Sequence, residues 1–115
     1  MSNTISFKRL TLENLPDMMA IEREAFVMAW SSSVMRDSLM AAHCRAWGIL
    51  EQNRLVGFGI LSLVLDEAEI LSMGIDPLYH RRGYGEKLLQ FLVQEARSSK
   101  ADAIYLEVHH RNMAA

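Results

Sequence analysis

The fold is decided by residues 70–92, which read ILSMGIDPLYHRRGYGEKLLQFL. An apolar strand runs into a basic loop with two glycines, and the loop opens onto a helix whose apolar positions follow helical spacing at Gly85, Leu88, Leu92 and Ala96. A loop of this kind brings free backbone N–H groups and cationic side chains to one point in space. The segment therefore predicts a strand–loop–helix unit with a binding site for a phosphate-bearing ligand.

The basic residues of the loop support this interpretation. His80, Arg81 and Arg82 precede a helix N-terminus, which carries partial positive charge and is stabilised by acidic or hydroxyl caps. These cations become favourable when an anion lies between them and the exposed N–H groups. Gly83 and Gly85 lack Cβ atoms, so the backbone can approach a ligand closely. The alternative is a surface loop with two solvated arginines, and the strand before it and the helix after it favour the anion site.

Length and composition predict one domain over residues 1–115. The chain has 115 residues, of which 50% are hydrophobic, and a formal net charge of −2. This charge gives no general attraction to nucleic acid or to an anionic membrane. No apolar run is long enough for a membrane span, and the first residues lack a signal-peptide pattern. Cys44 is the only cysteine, so we expect a cytoplasmic protein with no internal disulfide and no metal site.

The residue pattern predicts an α/β fold with a mixed sheet. Strands are expected at 5–10, 46–51, 55–65, 68–76 and 103–109, with tight turns at 52–54 and 66–67. One helix is expected after an N-cap at Asn14, a second from Trp30-Ser31, and the third from the glycine loop to Ser98-Ser99. The apolar positions of the first two helices are Leu15, Met18, Ile21 and Ala25, then Val34, Met35 and Leu39. Tandem hairpins followed by strand–helix–strand indicate antiparallel pairing early and one parallel crossover around the loop.

Three phosphate-binding designs compete for the loop. A P-loop requires Gly-x-x-x-x-Gly-Lys-Ser/Thr, which the chain lacks. A dinucleotide-binding domain requires Gly-x-Gly-x-x-Gly, but the third position is Leu88, although Glu107 lies about 20 residues on, where a ribose-binding acid would lie. Residues 76–82 also separate the strand from the first glycine, and the strand follows a hairpin. The dinucleotide design stays open as the weaker alternative.

The third design rests on a family resemblance. Residues 80–85, HRRGYG, resemble the Arg/Gln-x-x-Gly-x-Gly/Ala motif of the GCN5-related N-acetyltransferases (GNAT family), which bind the pyrophosphate of acetyl-coenzyme A. Four further segments are similar to bacterial members that acetylate the N-terminal alanine of ribosomal protein S18: LDEA at 65–68, DPLY at 76–79, GYGEKLL at 83–89, and LEV at 106–108 followed by Asn112. Asn14-Leu15-Pro16 and Trp30-Ser31 are similar as well, so the likeness covers nearly the whole chain.

The resemblance implies acetyl-CoA as co-substrate and a set of residues that bind it. Met73, Gly74 and Ile75 would lie beside the acetyl and pantetheine groups, and Asn112 would touch the cofactor past the last strand. The pyrophosphate would be bound chiefly by backbone N–H groups. These groups belong to Arg81, Arg82, Gly83, Tyr84, Gly85 and Glu86. The implied acceptor is a protein N-terminus, that of ribosomal protein S18 first, and Glu107 is the implied general base.

The chemistry makes Glu107 reasonable in that role. An α-ammonium group has a pKa of about 8 and must lose a proton before it attacks a thioester. A carboxylate can accept that proton and attract the cationic substrate. Strand alternation puts Tyr105, Glu107 and His109 on one face and Ile104, Leu106 and Val108 on the other. A solvated carboxylate on a sheet face is the alternative.

Two departures from the family pattern limit the resemblance. His80 stands where the motif usually has Gln or Arg, and Glu86 stands where a basic residue is common. The sequence stops at Ala115, where relatives continue through a helix and further strands that carry the tyrosine acid. The resemblance therefore implies a partial domain without the C-terminal helix and strands. An acetyl-CoA-binding module with little activity is the second hypothesis, and the last strand is expected to promote self-association as an unpaired edge.

Overall fold

A five-stranded mixed sheet forms the centre of the computed structural model, which describes residues 4–106. Its order follows the chain: β1 (Ile5–Leu10), β2 (Cys44–Glu51), β3 (Arg54–Val64), β4 (Glu67–Ile75) and β5 (Ala103–Leu106). The first four strands are antiparallel to their neighbours, and β4 pairs with β5 in parallel. The sheet confirms the predicted architecture, because the single parallel pair is the one that encloses the glycine loop.

Helices cover both faces of this sheet. They are α1 (Leu15–Ala25), α2 (Ser32–Met40) and α3 (Tyr84–Ser98). Buried residues of α1 and α2 pack with Phe58 and Ile60 on one face, and Leu88 and Leu92 of α3 pack with Leu61 on the other. We call these the α1 face and the α3 face. Because β3 carries residues of both clusters, it is buried on both sides and forms the middle of a three-layer core.

Gly59 lets α3 approach the sheet closely, and Gly57 leaves room for Ile75 of β4. A Cβ at Gly59 would lie 2.6 Å from Cδ1 of Leu92, and a Cβ at Gly57 would collide with Cδ1 of Ile75. Leu92 therefore fills the space that a side chain at Gly59 would occupy. This contact fixes the height of α3 above the strands and with it the position of the helix N-terminus.

The predicted N-cap position at Asn14 is confirmed, but the Asn14 side chain does not cap α1. A short 3₁₀ helix (Leu12–Asn14) precedes α1, and Thr11 is its cap, with Oγ1 accepting from the N–H of Glu13 at 3.3 Å. Asn14 already has helical dihedrals, and its Oδ1 accepts from the N–H of Thr11 at 2.9 Å. α1 thus begins at the predicted residue, and the Asn14 side chain stabilises the 3₁₀ turn that precedes it. The second helix begins as predicted, because Ser31 Oγ accepts from the N–H of Val34 at 3.2 Å.

Some predicted boundaries and core positions shift in the structure. β2 begins at Cys44, and the β2–β3 turn contains only Gln52 and Asn53, both with positive φ. The β3–β4 turn is Leu65–Asp66 rather than 66–67, because Val64 pairs with Glu67 and leaves Leu65 fully exposed at the tip. Val34, predicted to be an apolar core position, is 44% exposed, whereas Met35 beside it is fully buried. No helix within residues 4–106 is long and apolar enough to cross a membrane.

We expect Leu92→Ala to lower the free energy of unfolding by about 2–5 kcal/mol, because it leaves a cavity where α3 meets the sheet. Leu92 is fully buried, whereas Gln94 on the same helix is exposed. Gln94→Ala is the matched control and should change stability by less than about 0.5 kcal/mol. Urea denaturation followed by circular dichroism measures both. Equal stability of the two variants would contradict the packing described here.

Candidate functional site

A β-bulge in β4 lies next to the candidate site. Ile60 of β3 pairs with Ser72, but Leu61 pairs with Ile70, so Leu71 is the extra residue on β4. An extra residue reverses the alternation of side chains beyond it. Ile70 faces α3 before the bulge, and Met73 and Ile75 face α3 after it. The bulge therefore places Met73 and Ile75 on the α3 face, whereas in a regular strand they would lie on the α1 face.

The three residues that the resemblance assigns to the acetyl and pantetheine groups lie in this turned segment. Met73 and Ile75 pack against the α3-face cluster, with Ile75 buried and Met73 half-buried. Gly74 points to the α1 face, where a Cβ would come within 2.9 Å of the Phe26 ring. Gly74 thus leaves room for the end of α1, and the backbone of the segment runs between both helical layers.

One edge of this segment has no strand partner in the part of the chain that the structure describes. The pairs between β4 and β5 end at Ile70 and Leu106, and Leu106 is the last described residue. The predicted general base, Glu107, and the predicted cofactor contact, Asn112, lie outside the described residues. Tyr105 and Glu69 are paired neighbours on the α1 face, and Ile104 packs against the α3-face cluster. This confirms the alternation predicted for the first residues of β5.

The loop after β4 begins with a fixed turn. Asp76 caps a short 3₁₀ helix (Pro77–Tyr79), and its Oδ1 accepts from the N–H of Leu78 at 3.0 Å. His80 Nε2 donates to the carbonyl oxygen of Ile75 at 3.0 Å. The histidine that departs from the family motif therefore ties the loop back to the end of β4. His80, which stands where the motif usually has Gln or Arg, therefore has a structural role in the loop through this hydrogen bond.

The backbone of the loop has the form of an anion-binding concavity. Arg81 has a φ of 65° and Gly83 a φ of 78°, whereas Arg82 between them is not among the positive-φ residues. Alternating φ of this kind turns successive N–H groups toward the same side, as in backbone nests that bind phosphate. A Cβ at Gly83 would meet nothing within 4 Å. Glycine is therefore required there by its φ, and the space beside it is open.

The N–H groups of 81–86 are available to such an anion. Gly83 is the N-cap of α3 and supplies no side chain, and the first backbone bond into this turn is from the N–H of Lys87 to the carbonyl oxygen of Gly83 at 3.1 Å. Among residues 4–106 no acceptor contacts the N–H groups of 81–86. The helix macrodipole adds partial positive charge at the same point. The combination is suited to a phosphate or pyrophosphate group.

The side chains of Arg82 and Tyr84 are engaged elsewhere. Tyr84 is 5% exposed, and its hydroxyl donates to Oε1 of Glu51 at 2.5 Å. Arg82 Nη1 donates to the same oxygen at 3.3 Å, and its guanidinium lies 5.0 Å from the Tyr79 ring centroid. These two residues thus offer the anion their N–H groups, while their side chains hold the loop to the end of β2. Sequence inspection missed Glu51, because nothing in its own segment marks it and its partners lie more than 30 residues on.

The remaining charges around the concavity are mixed. Arg81 is exposed, and no described residue forms an ion pair with it. Glu86 is exposed and accepts from Gln90 Nε2 at 3.5 Å, one helical turn along. Lys87 Nζ lies 6.0 Å from the centroid of the Tyr84 ring. Arg81 is therefore the cation best placed to add charge to the backbone donors.

The connection between α1 and α2 borders the same end of β4. Phe26 packs at Gly74, and Val27 and Met28 after it are 73% and 68% exposed. Glu22 is fully buried, and its Oε2 accepts from the N–H of Trp30 at 2.8 Å. A buried carboxylate thus fastens the far end of an exposed apolar turn. The sequence analysis did not single out Glu22, whose place in the helical pattern gave no sign of this contact.

Two other kinds of site receive no support from this geometry. A dinucleotide-binding sheet is built from parallel crossovers, whereas in the part of the chain that the structure describes only β4 and β5 pair in parallel. Within residues 4–106 no three His, Cys, Asp or Glu side chains lie together as metal ligands would. Cys44 is buried in the core, and this burial raises the pKa of its thiol. The loop at the start of α3 is the candidate site.

Comparison with known proteins agrees with this geometry. The Acetyltransferase (GNAT) family matches residues 15–115. The [ribosomal protein bS18]-alanine N-acetyltransferase of Escherichia coli K12 is 31% identical over 113 residues, which are 98% of this chain and 74% of that enzyme. The crystal structure of the ribosomal-protein-S18-alanine N-acetyltransferase from Escherichia coli superposes with a TM-score of 0.88 at 27% identity, covering 95% of this chain and 70% of that one.

A more distant structure shares the fold alone. It is the PaiA N-acetyltransferase from Thermoplasma acidophilum in complex with coenzyme A, with a TM-score of 0.81 at 18% identity. The match covers 95% of this chain and 82% of that one. The fold is therefore one that holds coenzyme A in at least one other protein.

Substitution of the two loop glycines should separate conformation from space. Gly83→Ala should lower the free energy of unfolding by about 1–2 kcal/mol, because alanine is strained at positive φ. Gly85→Ala is the matched control, because a Cβ there would lie 3.7 Å from Ile75 and the position is helical. It should leave stability unchanged within about 0.5 kcal/mol or raise it. Thermal and urea unfolding of both variants check this, and an equally stable Gly83→Ala would contradict the loop conformation.

Proposed function

Because the chain belongs to the GNAT family of acetyltransferases, we propose that it is an acetyl-CoA-dependent Nα-acetyltransferase that modifies a protein N-terminus. The N-terminal alanine of ribosomal protein S18 is the first acceptor to test, since the similar enzymes carry that activity in their names. The observation that carries the proposal is the set of N–H groups at 81–86, which have no acceptor among the described residues and lie in a loop with positive φ at Arg81 and Gly83, as in an anion-binding nest.

The pyrophosphate of coenzyme A fits this concavity by charge and by direction. The N–H groups of 81–86 supply directed donors, and the N-terminus of α3 and the Arg81 guanidinium supply positive charge. Open space beside Gly83 allows the phosphate oxygens to reach the backbone. This arrangement binds the part of the cofactor that is common to acetyl-CoA and to the product coenzyme A.

The pantetheine arm and the acetyl group would follow the free edge of β4. Main-chain groups of Met73, Gly74 and Ile75 are positioned by the bulge at Leu71, and pantetheine amides can extend a sheet edge as a strand does. A backbone N–H near the thioester carbonyl would stabilise the oxyanion of the tetrahedral intermediate. Asn112 would add a contact from beyond β5.

The proposed transfer step is a nucleophilic attack on the thioester. The acceptor α-amine attacks the thioester carbonyl carbon, the C–S bond then breaks, and an amide and a thiolate form. Glu107 takes the proton that the amine loses, directly or through water. The thiolate of coenzyme A is a fair leaving group, because a thiol of this kind has a pKa of about 8.5. Tyr105 marks the strand face on which alternation would place Glu107.

We place the acceptor on the α1 face, where strand alternation would put Glu107. Glu69 is paired with Tyr105 on that face, and the apolar turn at Val27 and Met28 follows Phe26 at the end of β4. An N-terminal ammonium group with a small side chain such as alanine could enter between them. A ribosomal acceptor would place the reaction in the cytoplasm. Self-association through β5 stays a prediction, which size-exclusion chromatography at increasing concentration tests.

A binding module with little activity is the second hypothesis. It requires the same loop and the same ligand, so binding of coenzyme A alone does not separate it from an enzyme. Multiple-turnover acetylation of a peptide does separate them. We favour the enzyme, because the similarity to an N-acetyltransferase extends over 98% of this chain.

Binding should be specific to coenzyme A. Isothermal titration calorimetry should detect coenzyme A and acetyl-CoA but not NAD. Arg81→Ala should weaken coenzyme A binding by about tenfold, since a charge-assisted hydrogen bond to phosphate contributes on the order of 1.5–3 kcal/mol when it is well formed. Arg97→Ala, at the far end of α3, is the matched control and should leave the dissociation constant unchanged. Tighter binding of NAD than of coenzyme A would refute the proposed cofactor.

Catalysis should depend on the carboxylate of Glu107. Glu107→Gln should lower kcat for a peptide beginning with alanine by roughly 10²–10⁴-fold, because general base catalysis is worth about that much. The dissociation constant of acetyl-CoA should not change. Glu67→Gln, an exposed residue at the start of β4, is the control and should retain full activity. Mass spectrometry of the peptide measures the product, and an active Glu107→Gln enzyme would remove Glu107 from the mechanism.

The acceptor should be the α-amine rather than a lysine side chain. A peptide with a free N-terminal alanine should gain one acetyl group, and the same peptide with a blocked N-terminus and an internal lysine should gain none. Fragmentation by tandem mass spectrometry locates the group. Acetylation of lysine alone would overturn the proposed acceptor class and leave the cofactor assignment intact.

A further inference from the structure

We propose that Glu51, the last residue of β2, is a positioning residue that holds the phosphate-binding loop in its binding conformation. This inference rests on the proposed function only in that its main readout is the affinity for coenzyme A. Neither the family motif nor the loop sequence contains this residue. Its role follows from contacts that the fold creates between β2 and the start of α3.

One carboxylate oxygen binds both sides of the loop glycine. Oε1 of Glu51 accepts from the hydroxyl of Tyr84 at 2.5 Å and from Nη1 of Arg82 at 3.3 Å. Arg82 immediately precedes Gly83, and Tyr84 immediately follows it. The side chain of Glu51 is 11% exposed and Tyr84 is buried, so their bond is largely shielded from water, whereas the Arg82 side chain is 47% exposed. The two residues that flank the most flexible position of the loop are therefore fixed to one strand end.

Aromatic contacts extend the same arrangement. The Arg82 guanidinium lies 5.0 Å from the centroid of the Tyr79 ring, and the rings of Tyr79 and Tyr84 lie 6.4 Å apart at an interplanar angle of 28°. Tyr79 ends the 3₁₀ helix that opens the loop. Glu51, Arg82, Tyr79 and Tyr84 thus join the entrance of the loop, its middle and its exit into α3. We call these four residues the loop anchor.

The anchor matters because of the conformational freedom of Gly83. Glycine populates positive and negative φ almost equally, and no side chain surrounds Gly83 to restrict it. The N–H groups converge on one point only while φ of Gly83 stays near 78°. Fixing the residues on both sides reduces the ordering that binding must supply, and less ordering means higher affinity.

The negative charge of Glu51 has a second effect, which would weaken the binding of a phosphate. A carboxylate near a phosphate site repels the ligand and withholds Arg82 from it. Arg82 already neutralises this carboxylate, so the pair presents little net charge to the anion. The donors at 81–86 contact the anion through the main chain, so they need the conformation of the loop more than the charge of the Arg82 side chain. Ordering of the loop is therefore the larger effect, and removal of Glu51 should weaken binding.

Three variants separate ordering from charge. Glu51→Ala removes both bonds, Glu51→Gln keeps an acceptor for the Tyr84 hydroxyl, and Tyr84→Phe removes one bond without changing any charge. Glu67→Ala, an exposed glutamate at the start of β4, is the matched control. Circular dichroism melts establish that each variant is folded at the temperature of the binding measurement.

We expect the dissociation constant of coenzyme A, measured by calorimetry, to rise about 3- to 10-fold in Glu51→Ala and by a similar factor in Tyr84→Phe. Glu51→Gln should lie between these variants and the wild type, and Glu67→Ala should match the wild type. In kinetics, KM for acetyl-CoA should rise while kcat at saturation stays unchanged. Unchanged or tighter binding in Glu51→Ala, or an effect of Glu51→Ala with none of Tyr84→Phe, would overturn the positioning role.

A ligand-free measurement keeps this inference distinct from the proposed function. Hydrogen–deuterium exchange of the peptide that covers residues 79–88 should be faster in Glu51→Ala than in the wild type, with no change elsewhere in α3. If the wild-type protein does not bind coenzyme A, the proposed cofactor fails while the exchange result still tests the anchor. If the wild type binds and the exchange of the loop is the same in both proteins, the anchor fails and the cofactor assignment stands.

Discussion

The close packing of α3 on the sheet is the constraint on which the site depends. Leu92 occupies the space above Gly59, and Ile75 occupies the space above Gly57. Leu92 and the buried Leu88 fix the height of the helix above the sheet, and Ile75 of β4 lies under its first turn, 3.7 Å from where a Cβ at Gly85 would stand. A helix of fixed position carries its N-terminus to a fixed point, which here lies just past the end of β4. The concavity for the anion is thus a consequence of core packing, and the loop only completes it.

The bulge at Leu71 is a second constraint, and it acts on the other half of the site. Without it, Met73 and Ile75 would face α1, and the apolar contact between Ile75 and the sheet under α3 would be lost. With it, Gly74 faces α1, where the Phe26 ring leaves no room for a side chain. Burial on both faces therefore locks the register of the strand end. A rigid edge of this kind can hold a thioester at a defined distance from the phosphate loop.

Sequence patterns predicted the local units well because periodicity and turn chemistry are local properties. The strand, loop and helix around Gly83 and Gly85 form as expected, and so does the order of strands. Features set by contacts distant in sequence were not predictable in this way. The bulge at Leu71 depends on pairing with β3, and the contacts of Glu51 depend on where α3 comes to rest. Asn14 stands at the N-cap of α1 as predicted, but its side chain bonds to Thr11 of the preceding 3₁₀ turn, which the residue pattern did not indicate.

The distribution of charge also explains why the loop carries two arginines of unequal role. Arg82 is matched by Glu51, so its positive charge is largely cancelled where the anion would lie. Arg81 has a positive φ and an exposed side chain, and Glu86 stands one turn into the helix. The net charge at the concavity is therefore small, and the attraction for phosphate comes mainly from directed N–H groups and the helix macrodipole. Such donors select the geometry of a pyrophosphate over bulk anions.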